Sequence, residues 1–341
     1  MGIDIVEADE EELTKWNDHV DRSPDTSVFH RIEALQTQAA HSGTELHPLV
    51  GYKGQEPTGI FPVFERTKGP LTVAFSPPPP LWIQCLGPAL LNTNGLKQRK
   101  RERRTTRFVE GCIEWVDENV GADLLRVTTD GNYDDLRPFK WNDADVSPAY
   151  TYVVDLSPAL DDLIMEFSSD ARKNIRNAEE IDHTVAVGDK DDALRIIEAV
   201  RQRYDNQGKS FNMPPEFISD LYDELPDGRL RPYVCRADGE YLGGVLAVED
   251  DDRIYRWQGG TKPDTDVDLA VNDVLDWGIM TDAKERGIGE YDLVGADDRR
   301  IASYKAKFAP SLETFYNVER GSWSVKALVD IYGRARTKGL L

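Results

Sequence analysis

The sequence predicts an α/β (α+β) fold of two similar units in tandem, each a mixed sheet flanked by helices. Apolar runs bounded by turn residues mark the strands, and apolar residues at helical spacing mark the helices. The order hairpin, long helix, strand, short helix, strand occurs once before residue 156 and again after it. No residue-level repeat accompanies it, so what recurs is the order of elements alone. At 341 residues the chain is long enough for two modest domains, expected at 1–156 and 157–341.

Residues 11–21 and 29–41 read as two short helices, the first with Leu13, Trp16 and Val20 on one apolar stripe. A hairpin follows, from HisProLeuValGlyTyr at 47–52 through a glycine-bounded turn region to IlePheProValPheGlu at 60–65. Pro77 to Pro80 cannot sit inside a sheet and mark a rigid loop, with an apolar extended segment from Leu81 to Gly87 beyond it. A helix runs from about Leu96 to Val120, with Phe108, Cys112, Trp115 and Val116 on its apolar face. A strand at 123–129, a short helix at 133–139 and a strand at 150–156 close the first half. Helices at 160–180 and 191–206 introduce the second, with SerSerAsp at 168–170 as an N-cap. Strands at 242–249 and 253–260 lead into a long helix from about Asp268 to Arg286. A strand at 291–295, a helix at 300–308 and a last strand at 312–319 complete the pattern.

A net charge of −21 and a pI near 4.7 argue against binding nucleic acid or anionic membrane through the net field alone. Such a surface suits concentrated salt, where screening weakens self-repulsion, and points to a halophilic, archaeal source. A hydrophobic content of 40% excludes a disordered chain. Cys85, Cys112 and Cys235 are odd in number and lack the spacing of a disulfide framework or a zinc site. The acidic N-terminus is unlike a secretory signal, and no run approaches the roughly 18 apolar residues of a membrane span. A cytoplasmic protein without a transmembrane segment is expected.

Several motifs resemble those of Fem-type (FemAB-like) acyltransferases. SerSerAspAlaArgLysAsnIleArgAsnAlaGlu at 168–179 resembles the signature that begins that family's second unit. GluTyrAspLeuValGly at 290–295, followed by SerTyrLysAlaLysPhe at 303–308, resembles a second signature. In the first half, SerValPheHisArgIle at 27–32, ValGlyTyr at 50–52, ThrGlyIlePheProValPhe at 58–64 and ArgProPheLysTrp at 137–141 follow the leading unit. The resemblance spans nearly the whole chain. It implies two tandem N-acetyltransferase-like (GNAT) units and transfer of an acyl or aminoacyl group to an amine. The family's best-known members move amino acids from aminoacyl-tRNA onto cell-wall precursors, and a broader branch is found beside polysaccharide genes. An archaeal source favours the broader branch, with an amino sugar or nucleotide-linked glycan precursor as acceptor. No cofactor is expected to be bound permanently; the acyl donor is acetyl-CoA, another acyl-CoA or aminoacyl-tRNA.

The resemblance puts Lys305 at the reaction centre, where a fixed cation stabilises a developing oxyanion or holds a phosphate. Ile301, Tyr304 and Phe308 fall on one helical stripe expected to face the core, and Lys305 lies off it. Tyr304 has two readings, core packing and general acid toward a departing thiolate. Asp292 interrupts an apolar strand, either to orient or deprotonate the amine or to form an ion pair with Arg299 or Arg300. Arg172 and Arg176, four apart behind the N-cap, are candidates to grip a phosphorylated acceptor or to form an ordinary charged face. Trp257 and Gln258, at the end of the second hairpin strand, are candidate substrate contacts. The basic block at 97–107 is the candidate contact for a tRNA backbone or polyanionic acceptor, against the plainer reading of a solvated helix turn. The loop at 258–270 carries Asp264, Asp266 and Asp268 where a pyrophosphate prefers bare amides, which weighs against acetyl-CoA bound in the usual manner. No metal site is expected, because the five histidines show no ligand spacing. The rival reading is a catalytically silent GNAT-like binding protein of a polysaccharide assembly system.

Overall fold

The computed structural model describes residues 2–133, 135–260 and 266–337. The chain divides into two compact units, Met1–Ala149 with Thr314–Arg336, and Tyr150–Glu313.

The first unit begins with β1 (Asp4–Glu7), α1 (Glu10–Leu13), α2 (Trp16–Val20) and α3 (Ile32–Ser42). It continues with β2 (Glu45–Lys53), β3 (Glu56–Lys68), β4 (Leu71–Ser76), β5 (Ala89–Leu90), α4 (Gln98–Trp115), β6 (Leu124–Thr129) and α5 (Arg137–Trp141). Its sheet runs β1-β2-β3-β4-β6, with β4 and β6 parallel and the other pairs antiparallel, and β5 beside β3. The apolar face of α4 lies on this sheet, bringing Phe108, Val109, Cys112 and Ile113 against Leu49, Phe61, Val63 and Val127. Gly51 and Gly59 leave room for the Phe108 ring, since a Cβ at either would meet it at 2.5 and 2.7 Å. Burying that one ring contributes about 1.5–3 kcal/mol.

β7 (Asp145–Asp155) leads into the second unit, which holds α6 (Leu160–Glu166), α7 (Ser169–Ala178), β8 (His183–Val187), α8 (Lys190–Asn206) and α9 (Pro215–Glu224). The unit's remaining elements are β9 (Leu230–Ala237), β10 (Glu240–Glu249), β11 (Arg253–Gly259), α10 (Val271–Glu285), β12 (Glu290–Asp292) and α11 (Arg299–Lys305). β12 pairs parallel with β11 and antiparallel with β7, and β10, β9 and β8 continue the sheet antiparallel. α7 is capped as expected, the Ser168 side chain accepting from the Ala171 N–H. Phe167 meets Trp277 and Phe308 edge-on at 5.8 and 5.4 Å, tying α7 to α10 and the turn after α11.

β13 (Ser311–Gly321) and α12 (Trp323–Thr337) end the chain. From Tyr316 onward β13 pairs with β6, and its Val318 is fully buried in the first unit's core. Val154 of β7 lies in the second unit's core. The last strand of each half therefore completes the other half's sheet. The boundary falls at 149/150 rather than 156/157, and residues 314–336 belong with the first unit.

Other differences are local. The helix expected at 11–21 is broken between Leu13 and Trp16, and the expected strand at 291–295 ends at Asp292. β8, α9 and β9 had no counterpart in the sequence reading. Part of the expected helix at 133–139 (Asp134) and of the 258–270 loop (261–265, with Asp264) lies outside the described residues.

Candidate active site

The second unit's parallel pair is in register from Arg253–Glu290 to Tyr255–Asp292 and then parts. β11 continues to Gly259, while the chain after Asp292 turns away. The gap belongs to a cleft of about 1060 Å³ that α8, the start of α10 and α11 also line. Among the described residues its charged walls are Arg203, Lys209, Arg256, Arg300 and Lys305 against a single acid, Asp298. Asp298 is already committed as the N-cap of α11, accepting from the Arg300 and Ile301 amides. The cleft is thus cationic in a chain of net charge −21.

The turn after β12 is built by three buried polar groups. Asp292 Oδ1 accepts from the Thr151 hydroxyl at 2.5 Å and from the Val294 N–H at 2.7 Å. The Thr151 hydroxyl accepts in turn from the Gly295 N–H at 3.1 Å. These bonds hold Val294 at φ +53°, a left-handed conformation that a β-branched residue adopts only under constraint, at a cost of about 1–3 kcal/mol. The carbonyls of Val294 and Gly295 then both accept from Lys305 Nζ, the second at 2.9 Å. Burial and the nearby Arg256 charge bring the Lys305 ammonium down to about 8, and burial raises the Asp292 carboxyl to about 6.

Beside the turn lies a second polar centre. Asp276 of α10 is fully buried and accepts from Arg256 Nε at 2.7 Å, Tyr291 Oη at 2.6 Å and Tyr304 Oη at 2.7 Å. Burial and then the Asp276 charge push the Tyr304 phenol well above its ordinary value. It is therefore a weak acid toward a thiolate, whose conjugate thiol lies near 8.5. Lys307 bonds both oxygens of buried Asp273 at 2.7 Å, and Asn174 bonds one of them, fastening the turn after α11 and α7 to α10.

Of the residues singled out from sequence, Lys305, Tyr304, Trp257 and Gln258 come together on the cleft wall. Lys305 is buried yet lines the cleft, whereas Ile301, expected in the core, is 40% exposed. Asp292 is buried behind the turn, and its nearest cation is Arg253 at 3.7 Å rather than Arg299 or Arg300. Arg172 and Arg176 stand on α7 and do not line the cleft; Arg172 donates to the Met165 carbonyl. The basic block lies on α4 of the first unit, with Arg99, Lys100, Arg101 and Arg103 exposed and Arg104 buried against Glu56. Asp266 and Asp268 are exposed and do not line the cleft. Sequence reasoning missed Arg256, Asp276 and Thr151. The one signal was charge inside apolar patterns, Arg256 between Ile254 and Trp257 and Asp276 between Leu275 and Ile279.

In the second unit a parallel strand pair thus parts over a cationic cleft, with a helix-borne lysine at the opening. Residues 166–306 match the acetyltransferase (GNAT) domain family. The fold is similar to the crystal structure of FemX, with TM-score 0.70 and 13% identity, covering 92% of this chain and 96% of that one. It is also similar to the C-terminal domain of a lysylphosphatidylglycerol synthetase from Agrobacterium fabrum, with TM-score 0.60, 14% identity and coverage of 97% and 98%. A tandem GNAT protein from the clavulanic acid biosynthesis pathway aligns with TM-score 0.53 and 13% identity over 94% and 99% of the two chains. No curated protein matches the sequence. The chain thus carries a GNAT-type acyltransferase domain at 166–306, within a fold like those of FemX and the tandem GNAT protein. Among the described residues no helix is long and apolar enough to cross a membrane.

Proposed function

We propose that the protein transfers an acyl or aminoacyl group from an activated donor to the amine of a phosphate-bearing acceptor, such as a nucleotide-linked amino sugar of surface polysaccharide synthesis. The observation that carries this reading is the cleft itself, with five cations and one committed acid among the described residues of a strongly acidic chain. Exposed Lys209 and Arg300 and half-buried Arg203 meet the phosphates first; Arg256 and Lys305 lie deeper, where fewer waters compete.

The amine lone pair attacks the donor carbonyl, the new C–N bond forms, and the C–S or C–O bond to the carrier breaks. The amine's proton leaves with the carrier or to water. Lys305 has three N–H donors and spends two on the Val294 and Gly295 carbonyls, so the third is free to meet the oxyanion. Asp292 acts from behind by shaping the turn, and Tyr304 by helping Asp276 hold Arg256.

The fold of a lysylphosphatidylglycerol synthetase domain supports an aminoacyl donor, and the GNAT domain supports an acyl-CoA. The test is acyl transfer to UDP-amino sugars in high salt, with acetyl-CoA and aminoacyl-tRNA as separate donors and Lys305→Met as the comparison. Transfer from one donor that K305M loses by about a hundredfold supports the reading. Absence of transfer from either donor, with no thermal shift on adding them, sinks it.

A further inference from the structure

We propose that Thr151 is a positioning residue of this site: it locks the Val294–Gly295 turn and so fixes where the Lys305 ammonium meets the cleft. The proposal rests on the reading of Lys305 given above. Thr151 belongs to β7, 141 residues away in sequence from Asp292, and is 4% exposed. Its hydroxyl uses both of its capacities on the turn, donating to Asp292 and accepting from the Gly295 N–H. Two further bonds from β7 flank it, the Leu293 N–H to the Tyr152 carbonyl at 2.8 Å and the Ala296 N–H to the Tyr150 carbonyl at 2.7 Å. Those backbone bonds keep the turn against the sheet whatever side chain stands at 151. They do not hold Val294 left-handed. That falls to Asp292 on the Val294 amide and to Thr151, which orients Asp292 and secures the next peptide.

Without the hydroxyl, Asp292 loses a donor and the Gly295 N–H loses its acceptor, and Val294 is free to relax toward an ordinary φ. Relaxation rotates the two carbonyls that hold Lys305. The ammonium then samples several positions, and a displacement of about 1 Å is enough to cost a reaction of this kind about a hundredfold.

Thr151→Val keeps the shape and removes both bonds; Thr151→Ser restores both; Thr151→Cys offers weaker versions of each. T151V is expected to lower kcat by at least about tenfold with KM within about twofold, T151S to stay near wild type and T151C to fall between. A second readout does not depend on turnover. Lysines are labelled with a small amine-directed acylating reagent and the rates read by peptide mass spectrometry. Lys305 should label several-fold faster in T151V while Lys307, on the same helix end, is unchanged. T151V at the wild-type rate while K305M is inactive overturns the role of Thr151 alone. Equal acceleration at Lys305 and Lys307 also overturns it, since that reports general loosening. Wild-type transfer by K305M removes the reading of Lys305, and this role of Thr151 with it. Should T151V fail to fold, T151C against T151S decides by the same measures.

Discussion

The two units carry the same device, a pair of parallel strands that stop pairing partway, and treat the gap beyond it in opposite ways. In the first unit β4 and β6 are in register from Val73–Leu124 to Ser76–Val127. Beyond Ser76 the chain loops out and returns, so that the Leu86 N–H donates to the Thr128 carbonyl at 3.0 Å and the Ser76 hydroxyl donates to the Leu86 carbonyl. Leu81, Leu86, Ala89 and Leu91, all fully buried, make this return apolar. The place beside β6 that β4 leaves is thus filled by the chain itself. In the second unit the turn at 293–296 swings away and the gap stays open, walled by charge. An open polar gap is expensive to build, because each buried charge needs a partner. The second unit supplies them, Asp276 for Arg256 and two carbonyls for Lys305. In the first unit the same strand arrangement closes over itself with apolar chain and needs no such partners.

The largest effects of substitution are expected in the second unit. Asp276→Asn removes the charge that holds Arg256 and should cost about 3–5 kcal/mol, read as a large fall in denaturation midpoint together with loss of transfer. Leu86→Ala in the first unit's filler should cost a similar amount, about 2–5 kcal/mol as for other buried leucines, while native protein keeps its transfer rate. Equal loss of activity from both would remove the distinction between the units.

The pH dependence is a smaller effect with two limbs. Transfer that needs the Lys305 ammonium should fall as pH rises through about 8. For stability, Asp292 has a folded value of about 6 against an ordinary 3.8, so the folded state holds the extra proton and stability falls as pH rises across that window. Lys305 has a folded value of about 8 against 10.5, so the folded state holds fewer protons and stability rises with pH over that interval. Asp292→Asn should abolish the first slope and K305M the second, in denaturation midpoints measured from pH 4 to 10. D292N should also retain most of the activity, since an amide oxygen still accepts from Thr151 and Val294; complete loss would favour a general base instead. The smallest effect is expected from Arg99→Glu with Lys100→Glu and Arg103→Glu on α4. Transfer from acetyl-CoA should be unchanged, and a salt-dependent rise in KM for aminoacyl-tRNA alone would mark α4 as a polyanion contact.

Much of this was legible in the chain, for physical reasons. The order of elements was readable because each long helix and apolar strand carries its own periodicity, and Lys305 and Tyr304 because they stand in a recognisable motif. Arg256 was not, since a charge alternating with aromatics on a strand reads as a solvent face until Asp276 appears 20 residues later. Thr151 gave no signal, its role depending on a partner 141 residues away. β9 was missed because Pro232 reads as a strand breaker; the proline stays in the ladder by accepting through its carbonyl from the Gly188 N–H at 2.7 Å. The exchange of final strands was hidden as well, because local sequence does not say which sheet a terminal strand will join.

Hydrogen exchange with and without an acyl donor tests most directly whether the second unit's gap is the working site. With acetyl-CoA or aminoacyl-tRNA at saturating concentration, amides at 256–260 and 293–305 should gain protection while those at 76–91 stay unchanged. Protection confined to 76–91, with none at 293–305, would contradict it.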